Sequence, residues 1–286
     1  MSLRIIEWSD FLKSSGPQKE ESAVTIGVFD GLHLGHTELI SKIVRRGPNP
    51  TVFTFRENPK KVISPETYEG DIFSLRQKIA AIESLGVSNL ILIDFSEKIS
   101  KLNGWEFIDL LEDRVKVVFM AIGGNFRCGY RQDTDAEFIR EMNERKGIPT
   151  EVVSPVVLPE VEILKVKIPE VFGIGPVSSS RIRSEIISGN IKLASALMGH
   201  SVEADLSDLK PVSGIRKKQE GLVYNLRSVH RIAPSKGQFP ILMYPGAAAG
   251  QADAENGMIF ISTRKRVDGG QDSPLERIEF ISEYPI

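Results

Sequence analysis

The sequence predicts an α/β protein with a parallel sheet, followed by a small, mostly antiparallel β domain. Up to about residue 160, short apolar runs alternate with capped amphipathic stretches, which is typical of βαβ units around a parallel sheet. Beyond residue 200, alternating segments are separated by turns such as PSKG at 234–237 and YPGAAAG at 244–250, which favours antiparallel strands. We therefore expect one domain over 1–200 and a second over 201–286.

The elements of the first domain follow in regular order. Each apolar run precedes a helix: 24–30 precedes Leu34–Arg46, 51–55 precedes Ser74–Gly86, 89–95 precedes Asn103–Arg114, and 115–123 precedes Thr134–Lys146. Ser74 is a suitable N-cap, and Gly86 and Gly147 are suitable helix-ending residues. Ligands bind at the C-terminal ends of the strands in such a sheet. The segments 27–36 and 123–130 are expected at that edge.

Composition excludes several classes of protein. The chain has 286 residues, 41% hydrophobic and 26% charged, with a net charge of -2, so no basic excess indicates a nucleic-acid partner. No apolar run is long enough to span a bilayer, and charges interrupt the N-terminus. One cysteine, Cys128, excludes an internal disulfide and a multi-cysteine zinc site. We expect a cytoplasmic globular protein with neither a membrane nor an obligate protein partner.

The segment GVFDGLHLGH, Gly27–His36, is the most informative motif. It holds two of the four histidines, three residues apart, with glycines at 27, 31 and 35. Glycines let a backbone approach phosphates, and a helix N-terminus offers N–H groups and positive potential. Imidazoles can donate to phosphate oxygens. The segment therefore predicts a nucleotide phosphate site.

A second motif, VSSSRIR, begins at Val177. It combines three serines at the start of a predicted helix with Arg181 and Arg183, which suits a polyphosphate. A capped surface helix with solvated arginines is an equal alternative from this segment alone.

Three blocks in this order, GVFDGLHLGH, GGNFRCG and VSSSRIR, resemble the FMN adenylyltransferase module of prokaryotic-type FAD synthases, which are bifunctional riboflavin kinase/FMN adenylyltransferases. The resemblance covers roughly residues 1–200. It implies a Rossmann-like nucleotidyltransferase domain that joins FMN to the AMP part of ATP, giving FAD and pyrophosphate. Mg²⁺ would accompany ATP, held mainly by phosphate oxygens and water rather than by protein ligands.

The resemblance also implies residue roles. The catalytic residues would be His33 and His36 on the ATP phosphates, Asn125 between those phosphates and FMN, and Ser180 and Arg183 on the β- and γ-phosphates. The further binding residues would be Gly27, Phe29, Asp30, Gly31 and Gly35 in the loop, Ser179 on the phosphates, and Phe55, Pro59, Phe126 and Arg127 near the flavin.

Several of these residues have plainer explanations. Asp30 is also suited to cap the next helix, and Asn125 to stabilise a glycine-rich turn. Phe126 is better explained by ordinary packing than by a flavin platform. Cys128 is best explained as a small buried filler.

Two segments depart from the family pattern. FRENP at 55–59 stands where the family reads closer to FDPHP, so Arg56 either adds a phosphate contact or is merely solvated. No PTAN sequence, the turn that binds ATP and metal in the family's kinase module, occurs in 201–286. We therefore expect this region to be a degenerate riboflavin-kinase-like domain that does not phosphorylate riboflavin. Within it, RKKQE at 216–220 is expected to be a solvated turn or edge, and 247–257 a mobile loop.

Two alternative functions remain open. One is another HxGH nucleotidyltransferase, using for example phosphopantetheine or nicotinate mononucleotide, although GNFRCG and SSSRIR argue against it. The other is a non-catalytic protein that binds flavin nucleotides.

Overall fold

A computed structural model describes residues 2–13, 20–158, 175–216, 219–262 and 275–281. The chain divides into two compact units. The first comprises 1–66 and 78–156, and the second comprises 67–77 and 157–286. The boundary at residue 200, between modules inferred from motifs, stays a prediction.

The first unit contains a six-stranded sheet in which every adjacent pair is parallel. Its spatial order is β1-β4-β3-β2-β5-β8. The predicted α/β class with a parallel sheet is thereby confirmed. A short antiparallel pair, β6 with β7, follows β5. The strands are β1 Arg4–Glu7, β2 Glu21–Ile26, β3 Thr51–Phe55, β4 Asn89–Ile93, β5 Lys116–Gly123, β6 Arg127–Cys128, β7 Thr134–Asp135 and β8 Thr150–Val153.

Helices connect these strands, and their ends follow local capping chemistry. Ser74 Oγ accepts from the N–H of Gln77 over 3.1 Å, while Gln77 Oε1 accepts from the N–H of Ser74 over 3.0 Å, so the predicted N-cap is part of a capping box. Gly86 and Gly147 have φ of 82° and 74°, as residues that follow a helix end commonly do. The helices are α1 Trp8–Lys13, α2 Leu34–Arg46, α3 Lys60–Ile63, α4 Leu75–Ser84, α5 Glu97–Ser100, α6 Gly104–Glu112 and α7 Ala136–Arg145.

The core of the first unit lies on both faces of the sheet. On one face, side chains of β2, β3, β4 and β5 pack with α1, α6 and α7, including Phe53 and Ile108. Within α2, Ile40 and Ile43 are fully buried. Burial on both faces explains why these strands are continuous apolar runs rather than alternating ones. Each large side chain so buried contributes about 1.5–3 kcal/mol relative to exposure.

Among the residues described, the second unit contains two α-helices after residue 175 and a seven-stranded sheet of order β10-β11-β14-β13-β12-β15-β9. All its adjacent pairs are antiparallel, which confirms the predicted second fold type. The elements are α8 Ser179–Ile187, α9 Ile191–Met198, β9 Val202–Asp205, β10 Val212–Arg216, β11 Gln219–Asn225, β12 Lys236–Tyr244, β13 Ala248–Glu255, β14 Met258–Ser262 and β15 Arg277–Phe280.

The expectation of a mobile loop over 247–257 is wrong. Ala248–Glu255 forms β13, which pairs with both β12 and β14. Ala252 and Ala254 are buried while Gln251 and Glu255 are exposed, so a period of two is present but is carried by small side chains. RKKQE comprises the last residue of β10, two residues outside the described residues (217 and 218), and the first two residues of β11.

Residues 67–77 join the second unit through β9 and through the segment that follows β11. Ser74 Oγ donates to Asp205 over 2.5 Å, and Arg76 Nη2 donates to it over 2.8 Å. Asp71 forms a bridge with Arg231. Burial opposes ionisation of Asp205, but hydrogen bonds from Arg76, Ser74 and Ser207 outweigh it and hold the pKa of this carboxyl well below its usual range.

Candidate functional site

The loop 27–33 leaves the sheet at its topological switch point. β2 lies between β3 and β5; the next strands of the chain extend beyond β3 on one side, and β5 with β8 lies on the other. Connections at such a point diverge and open a crevice at the carboxyl ends of the strands. The N–H of Gly27 donates to the carbonyl of Phe53 over 3.1 Å, and Thr54 Oγ1 donates to the carbonyl of Val28 over 3.0 Å. The start of the loop is therefore fixed to β3.

The loop is buried and its backbone is unusual. Phe29, Gly31 and Leu32 have φ of 50°, 75° and 36°, a region that residues other than glycine rarely adopt. Phe29 is fully buried and Asp30 is 2% exposed. Such conformations persist only where the surroundings enforce them, and they concentrate at functional sites.

His33 is the N-cap of α2, a role for which the sequence suggested Asp30. Its Nδ1 accepts from the backbone N–H of His36 over 3.3 Å. An accepting Nδ1 carries no proton, so the neutral ring carries its proton on Nε2. His33 is thus oriented by the helix that it caps, with one ring nitrogen assigned as an acceptor and the other as a donor.

His36 lies against His33. Their ring centroids are 3.6 Å apart with planes inclined by 15°. The rings of Phe29 and His36 meet at 71° with centroids 5.1 Å apart. A methyl group at Gly35 would lie 3.3 Å from Cε1 of His33, so only a small residue fits beside the imidazole without a shift. Two histidines predicted from sequence therefore form one stacked pair in the first turn of α2 and at its cap.

Asn125 lies in a tight turn after β5, the strand beside β2. The N–H of Phe126 donates to the carbonyl of Gly123 over 2.8 Å and closes the turn. A methyl group at Gly123 would lie 3.4 Å from Oδ1 of Asn125 and 3.7 Å from Leu39 of α2. Asn125 is exposed, so its amide is accessible at the same edge of the sheet as the loop 27–33.

The residues after Asn125 differ from one another. Phe126 is partly buried and packs against the core, in agreement with ordinary packing. Arg127 is exposed, with Nη1 3.9 Å from Asp135. Burial, and then the nearby Asp133 carboxylate, raises the pKa of the Cys128 thiol to about 12. Cys128 is accordingly a thiol at neutral pH and not an activated nucleophile.

The segment 55–59 begins at the end of β3, on the opposite side of β2 from β5. Phe55 is partly buried and meets Phe95 edge to face at 5.8 Å. Pro59 is the N-cap position of α3. Arg56 is not merely solvated, because its Nε donates to Asp94 over 3.0 Å and its Nη2 pairs with Glu7. The alternative of a phosphate contact stays a prediction.

Sequence reasoning missed Lys78 on α4. This lysine is 5% exposed, and its Nζ donates to the carbonyl of Phe55 over 3.0 Å. A buried lysine amine, a hydrogen-bond donor, therefore lies at the carboxyl end of β3, beside the candidate site. A lysine within an amphipathic helix gives no sequence signal of burial. The ion pairs of Arg56 had a signal, because Glu7 ends one strand and Asp94 follows another.

Ser179, Ser180 and Arg183 belong to the second unit. Ser178 caps α8 by accepting from the N–H of Arg181 over 3.3 Å. Ser179 and Ser180 occupy the first turn, and Ser180 is exposed. Arg183 is 6% exposed, and its Nε donates to the carbonyl of Gly70 over 2.8 Å. The alternative of solvated arginines is therefore wrong for Arg183.

Two negative findings apply to the described part of the chain. No group of three or more His, Cys, Asp or Glu side chains there is arranged to hold a metal ion. No helix described is both long and apolar enough to cross a membrane.

The sequence is similar to enzymes of flavin synthesis. The family model described as FAD synthetase matches residues 15–166. The bifunctional riboflavin kinase/FMN adenylyltransferase of Buchnera aphidicola is 27% identical over 183 residues, which are 62% of this chain and 54% of that protein. The protein of the same description from Escherichia coli K12 is 27% identical over 192 residues, 65% of this chain and 56% of the relative. The chain thus spans about half the length of these relatives.

Among solved structures, the crystal structure of a macrolide-efflux protein from Streptococcus pneumoniae is similar over nearly the whole chain. It has a TM-score of 0.71 and 22% identity, and the match covers 96% of this chain and 88% of that one. At this identity the similarity establishes the fold alone. The combination of a parallel α/β unit with an antiparallel β unit therefore also occurs in a protein solved by experiment.

Proposed function

Because the chain belongs to the FAD synthetase family, we propose that it is an FMN adenylyltransferase that converts FMN and ATP to FAD and pyrophosphate. The observation that supports this most directly is the stacked pair His33 and His36 at the start of α2. It combines imidazole donors with a helix N-terminus at the switch point of a parallel sheet, which is chemistry suited to a nucleotide's phosphates.

The reaction requires alignment and charge stabilisation rather than a protein nucleophile. An oxygen of the FMN phosphate attacks the α-phosphorus of ATP, and the bond from that phosphorus to the β-phosphate's bridging oxygen breaks as pyrophosphate leaves. Negative charge grows on the α-phosphate and on the leaving group. Donors fixed before the reaction stabilise that charge most effectively.

In this proposal each candidate residue has a separate task. His33 donates from Nε2, since its Nδ1 is engaged by the backbone of His36. His36 contacts the α-phosphate, and Asn125 orients the FMN phosphate. By the family resemblance, Ser179 with Ser180 and Arg183 contact the β- and γ-phosphates. Mg²⁺ enters as part of the substrate MgATP, held by phosphate oxygens and water.

The flavin contacts are proposed more narrowly. Phe55 ends β3, Pro59 follows it, and Arg127 begins β6. They are the residues proposed to face the flavin. Phe126 contributes mainly to the core. Asp30, Gly31 and Gly35 shape the loop that holds the two histidines.

We further propose that the second unit does not phosphorylate riboflavin. The sequence from 201 to 286 lacks the PTAN turn, and the family match ends at residue 166. In this proposal the antiparallel sheet is a degenerate kinase-like domain.

The decisive experiment compares substrates. Purified protein with MgATP and FMN is expected to produce FAD and pyrophosphate, detected by separating flavins by chromatography. Riboflavin with MgATP is expected to yield no FMN, and FMN formation would contradict the proposal for 201–286. Adenylylation of nicotinate mononucleotide or phosphopantetheine but not FMN would establish another nucleotidyltransferase, and tight FMN or FAD binding without turnover would establish a binding protein.

Comparison of two histidine variants tests whether FAD formation depends on the candidate site. His36→Gln is expected to reduce the rate of FAD formation by about 10²-fold, as loss of a preorganised donor does. His200→Gln is the matched control, since His200 is an exposed histidine of the second unit that is not proposed to contact substrate. Equal rates for the two variants would contradict the role of His36.

A further inference from the structure

Phe29 occupies an unusual position for a bulky side chain. It has a φ of 50° and is fully buried, although it lies in the loop that enters the candidate site. A phenylalanine at positive φ is strained, so its ring must make contacts that compensate for the strain. Because the ring is completely enclosed by protein, it is not itself a surface for a substrate.

The ring of Phe29 packs on both Gly27 and His36. The rings of Phe29 and His36 meet with centroids 5.1 Å apart and planes inclined by 71°, a favourable edge-to-face arrangement. A second contact is with Gly27: a methyl group there would lie 3.0 Å from Cζ, 3.1 Å from Cε2 and 3.3 Å from Cε1 of Phe29. The three atoms nearest to a methyl group at position 27 are therefore all ring atoms of Phe29.

Gly27 has no conformational need to be glycine. Its φ lies outside the left-handed region that Gly31 adopts. The residue also continues the β2 direction, with its N–H bonded to the carbonyl of Phe53. The space taken by the Phe29 ring is the steric constraint that the structure shows at this position.

We propose that Phe29 is a positioning residue for His36, and that Gly27 is required because it leaves room for the Phe29 ring. The Phe29 ring contacts the His36 imidazole, and the His33 ring is stacked on the same imidazole with centroids 3.6 Å apart. A side chain at position 27 displaces the ring and, through it, the imidazole. The consequence for catalysis rests on the proposed function, whereas the packing relation does not.

The usual explanation of such a glycine is different and makes the opposite prediction. If Gly27 is needed for close approach of the backbone to phosphates, an alanine there obstructs the ligand whatever residue occupies position 29. If Gly27 is needed for the ring, the cost of alanine disappears once the ring is removed. The two positions are then energetically coupled.

The experiment is a double-mutant cycle of Gly27→Ala, Phe29→Leu and the double variant. Leucine has no atoms that correspond to Cζ and Cε of phenylalanine, so it removes the close contacts. Gly27→Ala is expected to reduce kcat for FAD formation about tenfold or more, since a misplacement of 1 Å can cost 10²-fold, with a smaller change in KM for ATP. Phe29→Leu is expected to reduce kcat similarly, and the double variant to be no slower than the slower single variant.

Independent losses that multiply in the double variant would overturn the proposal, as would wild-type kcat in Phe29→Leu. A second measurement does not depend on activity: NMR spectra of the histidine ring protons report the ring current of Phe29. The His36 resonances are expected to move in both single variants, with those of His200 unchanged. An unmoved His36 resonance in folded Gly27→Ala protein would also overturn the proposal.

Failure of the proposed function has a different signature. If wild-type protein forms no FAD, the kinetic cycle cannot be run and the function is wrong. The His36 resonances and the free energy of unfolding of the four proteins then decide the packing relation by themselves. Coupling between positions 27 and 29 in the free energy of unfolding, together with a moved His36 resonance, supports it, and additivity with an unmoved resonance refutes it.

Discussion

His33 has two separable tasks in this structure, and two substitutions distinguish them. Its Nδ1 caps α2 by accepting from the N–H of His36, and its Nε2 is proposed to donate to a phosphate of ATP. His33→Ala removes both tasks. His33→Asn keeps the first, because asparagine is among the best N-cap residues and its Oδ1 can accept from the same N–H.

The expected magnitudes follow from these tasks. Loss of an N-cap typically costs about 1 kcal/mol, so His33→Ala is expected to be less stable than His33→Asn by about this amount. Both substitutions lose the stacking on His36 and most of the buried ring, so these terms largely cancel in the comparison. Loss of the proposed Nε2 donor is expected to reduce the rate of FAD formation about 10²-fold in both variants.

The assay pairs urea unfolding with the rate of FAD formation. His33→Asn is expected to show reduced activity with retained capping, which loss of the helix cap does not predict. Wild-type activity in His33→Asn would refute the phosphate role. Equal stability of the two variants would refute the capping role.

Two further predictions concern ion pairs in each unit. The depressed pKa of Asp205 means that its ionised form stabilises the fold above the pKa of an unfolded aspartate, about 3.9, and that this contribution is lost as the pH falls further. Asp205→Asn is therefore expected to lower the free energy of unfolding by about 2–3 kcal/mol at pH 7. The difference from wild type, measured by urea unfolding, is expected to narrow below about pH 4. A difference that does not change with pH would contradict this. The Arg56 side chain is about a third exposed and pairs with Glu7 and Asp94. Arg56→Gln is therefore expected to lower the free energy of unfolding by at most about 1 kcal/mol and to leave KM for ATP unchanged. A raised KM would indicate a phosphate contact.

The features of the fold that local chemistry determines were predictable from the sequence. The predicted bounds of α2, Leu34–Arg46, and of β3, Thr51–Phe55, agree with the structure. Ser74 and Asn103 begin helices through capping boxes, and such boxes depend on residues three apart in sequence. Strands buried on both faces gave continuous apolar runs.

Features that depend on tertiary contacts were not predictable in this way. β13 was missed because alanines carry its alternation, and small side chains give a weak hydrophobic signal. The pairing of Arg56 with Glu7 and Asp94 joins residues that follow or end three different strands. Burial of Lys78 and of Arg183 likewise follows from packing that no local pattern encodes.

The N-cap of α2 was also not predictable from the sequence, because histidine is not among the preferred N-cap residues. This choice has a consequence for ligand binding. A carboxylate cap would place negative charge at the N-terminus of α2 and offset its positive potential. Here the cap is an imidazole and the first turn holds no acidic residue, while Arg45 and Arg46 occupy the last turn.

The last turn of α2 therefore carries charge that complements the helix dipole, whereas the residues of its first turn include no acidic side chain. An anion at the first turn would supply the missing complement, and it would also accept from the imidazole Nε2 that the cap leaves protonated. The same residue thus ends the loop, begins the helix and presents a donor in a direction set by the backbone. This combination of roles explains why a histidine, rather than a stronger N-cap residue, suits this position in a site proposed to bind phosphate.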